Sequence, residues 1–148
     1  MKQVECTIEI DAPIEKVFAL FTDFKRLPYR IPKILRVEML TPGPVAVGTQ
    51  FRETRKVFGT EATEVMTVTS LLPNQELSMS SPNCGIRSDC QFRFEPHGDG
   101  TKVHVLFAIT PENLFAKIMW KAQSFFMKGM MVKMIREDME CIKKSAEA

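Results

Sequence analysis

Between residues 50 and 110 the chain alternates apolar and polar residues over and over, and every alternating run stops at a turn signal. "FRETRKV" and "EATEVMTVTSLL" meet around Gly59-Thr60; "QELSMSS", "GIRSDCQFRFE" and "TKVHVLFAIT" follow, separated by Pro73-Asn74, Pro82-Asn83 and "PHGDG". A two-residue period marks strands with one wet face and one dry face. "KILRVEML" precedes this series, making six consecutive strands, and "QVECTIEI" near the start supplies a seventh. Short links between successive strands favour an antiparallel meander.

The rest of the chain reads as helix. Asp11 offers an N-cap and Pro13 suits a first turn before "IEKVFALFTDF", where Ile14, Val17, Phe18 and Phe21 form one apolar stripe. "KRLPYRIP" holds two prolines and allows at most a short second helix. Thr110 as N-cap and Pro111 in the first turn predict a long helix running to about Ser145. One strand, two short helices, six strands and one long helix define an α+β chain. Such a chain buries its patterns by wrapping a curved antiparallel sheet around the C-terminal helix. One helix cannot fill a concave sheet, so a cavity is expected between them.

Within the C-terminal tract the apolar face changes. Phe115, Ile118, Ala122, Phe125 and Phe126 share one side, with Lys117, Lys121 and Lys128 opposite. From Val132 onward the stripe is Val132, Ile135, Met139 and Ile142. At about 100° per residue the two stripes lie roughly 120 to 150° apart, too far for a straight helix to bury both on one sheet. Gly129 sits at the changeover, and a kink or break between Met127 and Met131 is expected, with the first segment closing one end of the cavity.

Several function classes lose support on composition. The net charge is +2 and the cations are scattered among nearly as many acids, so no electrostatic footprint for nucleic acid exists. No apolar run is long enough for a membrane span or a signal peptide, and a cytoplasmic protein is expected. The four cysteines, Cys6, Cys84, Cys90 and Cys141, form no CxxC pair and read as reduced thiols; neither a metal site nor a cofactor is expected. His104 falls on the wet face of its strand and His97 in a turn, so neither is placed as a catalytic base.

The unusual feature is the inner face of "FRETRKVFGTEATEV". Placing Gly59 and Thr60 at the centre of a two-residue loop pairs Phe51 with Val68, Glu53 with Met66, Arg55 with Glu64 and Val57 with Ala62. The opposite face is polar almost throughout, so this set faces the concavity, and charges come with it. Continuing the alternation nominates Leu77 and Met79, then Ile86, Ser88, Cys90, Phe92 and Phe94, then Val103, Val105, Phe107 and Ile109. Met119 and Trp120 lie near the far end, on the helix. Candidate ligand contacts are therefore Phe51, Glu53, Arg55, Val57, Glu64, Met66, Val68, Met79, Ser88, Cys90, Phe92, Val105, Phe107, Met119 and Trp120. Buried charges cost several kcal/mol unless paired or wet. The Glu53, Arg55 and Glu64 trio is thus a structural ion network, a polar anchor for a ligand, or an acid/base set in which Glu53 and Glu64 are the catalytic candidates.

The order of "IDAPIEKVFALFTDF", "VGTQFRETR", "VTSLLPNQEL", "FRFEPHGDGTKV" and "IREDMECIKKSAE" resembles the START-like or SRPBCC superfamily, and in particular its polyketide cyclase/dehydrase branch. The resemblance spans almost the whole chain and implies a single domain over residues 1–148. It implies the helix-grip fold and a deep pocket for lipids, aromatic polyketides or similar hydrophobic molecules, with no cofactor. It implies no particular reaction, because carriers, sensors and cyclases share the scaffold. "TDFKRLPYRIPKILRVEML" is also similar to the matching region of coenzyme Q-binding proteins, which makes a quinone a further ligand class.

Overall fold

A computed structural model describes residues 2–57, 59–83 and 85–148, excepting the side chains of Lys2, Asn83, Trp120 and residues 122–127. Strand β1 (Lys2–Ile10) leads into helix α1 (Ile14–Thr22), a 3-10 turn (Phe24–Arg26) and the single-turn helix α2 (Leu27–Arg30). Six strands follow: β2 (Ile34–Met39), β3 (Gln50–Val57), β4 (Thr60–Leu72), β5 (Glu76–Asn83), β6 (Ile86–His97) and β7 (Gly100–Pro111). Helix α3 (Leu114–Glu147) closes the chain.

The seven strands form one antiparallel sheet in the order β1-β7-β6-β5-β4-β3-β2. The meander runs from β2 to β7, and β1 adds at the free edge of β7. The dry face follows the alternation of the sequence: Leu77, Phe92, Phe94, Val103, Val105 and Ile109 are buried. On the wet face both nitrogens of His104 are engaged, with Thr7 Oγ1 at 3.2 Å and Glu95 at 3.1 Å. Cys6, Cys90 and Cys141 are free thiols, and Cys84 lies outside the described residues.

Two helix starts differ from expectation. Pro13, with extended backbone, occupies the N-cap of α1, and the Asp11 N–H instead donates to Glu147 Oε2 at 2.8 Å. Strand β7 continues through Thr110 and Pro111, and Asn113 caps α3, its Oδ1 accepting from the Ala116 N–H at 2.7 Å. A side-chain cap of this kind satisfies an otherwise orphaned helix N–H, which backbone extension at Thr110 would not do. Gly85, at φ +79°, sits against the Asn113 side chain with no room for a Cβ, and its carbonyl accepts from the Glu112 N–H at 2.6 Å. The β5–β6 turn thus holds the start of α3. Asn113→Ala is expected to lower stability by about 1 kcal/mol in urea denaturation. A change below a few tenths would show that the cap carries no weight.

Helix α3 is continuous across Gly129; the expected break is absent. A mid-helix glycine costs only about 1 kcal/mol relative to alanine, and the C-terminal half is strongly held. Met131, Ile135, Met139, Ile142 and Ala146 are buried along one face. Lys143 Nζ donates to the Glu9 carbonyl at 2.8 Å and pairs with Glu147 at 2.7 Å, fastening the last turns to the β1–α1 junction. The conflict between the two apolar stripes is resolved differently: the start of the first stripe stays outside. Leu114, Phe115, Ile118 and Met119 are all exposed, so these residues do not close the cavity. The side chains of Ala122, Phe125 and Phe126 lie outside the described residues.

Candidate functional site

Phenylalanines from the first helical segment and from the sheet build the dry end of the concavity. Phe24 stacks on Phe51 at 4.2 Å between ring centroids, and Phe21 meets Phe92 at 5.2 Å and Phe94 at 5.1 Å. Above them α3 presents Met131, Met134, Ile135, Met139 and Ile142. Between these layers lies a cavity of about 240 Å³. Rings and branched side chains prop its walls apart. The three methionines of α3, with Met66 and Met79 on the sheet, line it with side chains able to adapt to an irregular occupant.

Most of the sequence-nominated residues come together on this wall. From β3 and β4 come Phe51, Glu53, Arg55, Val57, Glu64 and Met66; from β5 to β7 come Met79, Cys90, Phe92, Val105 and Phe107. Three others lie elsewhere. Val68 is buried in the packed core where β4 passes the Gly48–Thr49 turn, exchanging backbone hydrogen bonds with both residues. Ser88 faces inward opposite Ser81 and Ile109, beyond the cavity wall. Met119, on the first turns of α3, is exposed and does not line the cavity. The Trp120 side chain lies outside the described residues. Leu27 and Ile31 of the proline-rich segment reach the cavity, whereas Tyr29 is 86% exposed and points away.

The β3–β4 register differs from the expected one by two residues. Val57 pairs with Thr60, so Thr60 belongs to the strand and not to the loop; Gly59 takes φ +78°, and Thr60 Oγ1 donates to the Val57 carbonyl at 2.8 Å. A shift of two keeps every side chain on its face and changes every partner. Arg55 stands opposite Ala62, not Glu64, and Glu53 stands opposite Glu64. Two carboxylates directly across a ladder repel, so compensation must come from outside the hairpin.

It comes from α3. Arg55 reaches across the cavity to Asp138, with Nη2 donating to Oδ2 at 2.7 Å and Nη1 to Oδ1 at 3.3 Å; Nη2 also donates to Glu53 Oε1 at 3.4 Å. All three side chains are mostly buried, at 14 to 17% exposed. Asp138 is the candidate-site residue that the sequence reading missed. Its signal was a carboxyl falling on the same face as Met131, Ile135 and Ile142, in a stripe otherwise apolar. No hydrogen bond or ion pair reaches Glu64 among the described residues.

Burial sets the electrostatics. It pushes the carboxyls of Glu53, Glu64 and Asp138 up, against the opposing pull of Arg55 on each. Burial also works against the Arg55 charge, but Asp138 and Glu53 outweigh it and raise its pKa. The Cys90 thiol, desolvated and facing Asp138 and Glu53, is pushed up to about 12, so it is a protonated wall group and no nucleophile.

A carboxyl raised in the folded protein binds its proton more tightly there than when unfolded, so ionising Glu64 weakens the fold as pH rises from its ordinary 4.5 through the raised value. Glu64→Gln is expected to raise stability at pH 7 by about 1 kcal/mol, roughly 3 °C in Tm. The gain should fade toward pH 4.5, as the wild-type carboxyl takes up its proton in both states. Equal melting curves at pH 7 would contradict this.

A curved sheet gripping a long helix around an apolar cavity with a buried polar cluster defines a hydrophobic-ligand-binding or polyketide-cyclase type of protein. Over residues 1–147 the chain matches the family described as polyketide cyclase / dehydrase and lipid transport, and it belongs to that family. Its fold is that of START superfamily proteins. The START superfamily protein from Mycobacterium smegmatis superposes with a TM-score of 0.78 at 17% identity, over 98% of this chain and 97% of that one. The Zhui aromatase/cyclase from Streptomyces sp. R1128 gives 0.77 at 16% identity, over 99% and 93%. TTHA0849 from Thermus thermophilus gives 0.80 at 16%, over 97% and 95%. Among curated proteins no sequence matches significantly. No helix of the described residues is long and apolar enough to cross a membrane.

Proposed function

We propose that the protein, as a single START-like domain over residues 1–148, carries or senses a hydrophobic or amphipathic small molecule held between the sheet and α3. The observation that carries this is the cavity itself: aromatic, aliphatic and methionine walls with one polar cluster, the composition of a small-molecule site. The apolar body of a ligand would lie against Phe51, Phe92, Phe107 and the methionines. Its polar end would meet Glu53, Arg55, Glu64 and Asp138. Native mass spectrometry of freshly purified protein, with extraction and identification of bound material, tests the reading. A co-purifying apolar compound is the expected result; protein that stays empty from several expression hosts would overturn it.

A second reading is favoured by the two facing glutamates with raised proton affinity. In a cofactor-free cyclase or dehydratase, one ionised carboxyl takes a proton α to a substrate carbonyl while a protonated neighbour donates to the carbonyl oxygen. Glu53→Gln and Glu64→Gln separate the two. An enzyme loses turnover with affinity retained, and a carrier has no turnover to lose.

A further inference from the structure

The polar end of the cavity has more acid than base. Glu53, Glu64 and Asp138 line it with Arg55 as the sole cationic side chain among the lining residues. The charge of that guanidinium is already balanced by two carboxylates. Both of its terminal nitrogens donate to Asp138, at 2.7 and 3.3 Å, and one also donates to Glu53 at 3.4 Å. Lys33, the next cation toward α3, pairs with Glu137 at 2.8 Å outside the cavity. The remaining wall groups are aromatic rings, aliphatic chains, thioethers and the protonated Cys90 thiol, none of which neutralises an anion. Glu64 is left opposite Glu53 without a protein donor among the described residues.

A carboxylate or phosphate head brought to this end would meet excess negative charge and a guanidinium whose charge Asp138 and Glu53 already balance, while giving up its own hydration. A head group that donates protons, and carries positive charge, meets the reverse situation. We propose that the cavity selects amphiphiles ending in a protonated amine, with Glu64 as the counter-ion and Glu53 beside it, and rejects those ending in a carboxylate or phosphate. This rests on the cavity being a ligand site. The amine would supply the charge compensation that the β3–β4 ladder lacks between its facing glutamates, leaving the Arg55–Asp138 bridge intact.

Three probes with one chain length test it: octylamine, 1-octanol and octanoate, titrated calorimetrically at pH 7. Octylamine is expected to bind at least roughly tenfold more tightly than octanoate, with octanol between them. Glu64→Gln should cut the octylamine advantage over octanol by at least about fivefold, because the counter-ion is removed. Octanoate binding as tightly as octylamine would overturn the proposal while leaving the cavity a ligand site. So would an amine preference unchanged in Glu64→Gln. Failure of all three probes to bind would remove the ligand-site reading and the proposal with it.

Discussion

Replacing Arg55 with methionine is expected to cost about 3 kcal/mol of stability. The change keeps much of the length of the side chain and removes the charge and its donors. Asp138 and Glu53, each mostly buried, are then left without a partner, and an uncompensated buried carboxylate costs about 3–5 kcal/mol. Water in the cavity lowers that toward the bottom of the range. Two controls identify the cause. Asp138→Asn in the same protein should recover part of the loss, so that the double variant is more stable than the separate costs add up to. Lowering the pH should recover part of it too, because without the guanidinium both carboxyls take up protons more readily, and a protonated acid tolerates burial. Urea denaturation of the four proteins at pH 7 and pH 5 gives the comparison. A single-variant cost under about 0.5 kcal/mol would mean that the bridge is a solvated pair with little net value.

Filling the cavity should affect binding far more than folding. Cys90 lies mid-strand on β6 between Met79 and Phe107, its side chain facing the open volume. Cys90→Phe puts an aromatic ring where a ligand's apolar body would lie. Affinity for 1-octanol is expected to fall by at least roughly a hundredfold, while stability changes by less than about 1.5 kcal/mol, since the ring enters space that is already open. Unchanged octanol binding by a folded Cys90→Phe protein would place the ligand elsewhere.

Which features the sequence made legible follows from how far apart the interacting residues are. Alternation in "GIRSDCQFRFE" and "TKVHVLFAIT" identified the inner faces of β6 and β7 because each side chain's face depends only on its own strand. The β3–β4 pairing depended on one turn, and the sequence around Gly59 allows Thr60 to belong either to the loop or to the strand. The observed choice moved Arg55 away from Glu64 yet left both on the concave side. Asp138 was hidden for a different reason. Acids on helices ordinarily mark the solvated face, and its partner Arg55 belongs to a strand remote in sequence; only the assembled fold brings them to 2.7 Å. The helix break at Gly129 failed because burying both stripes was assumed. The chain instead tolerates exposed Leu114, Phe115 and Ile118, concentrating its packing on the stretch from Met131 to Ala146.

The edge position of β1 has a consequence for how the protein is made. Among the described residues, Lys2 to Ile10 pair only with Thr101 to Ile109, and α3 fastens to Glu9 and Asp11. During synthesis β1 emerges first and finds no neighbour until β7 has left the ribosome, so its alternating edge stays open while the meander from β2 to β6 assembles. The β1–β7 pairing joins distant parts of the chain, the kind of contact that slows folding of single domains. Refolding is therefore expected to be limited by the docking of β1 and α3 together, after the central hairpins have formed.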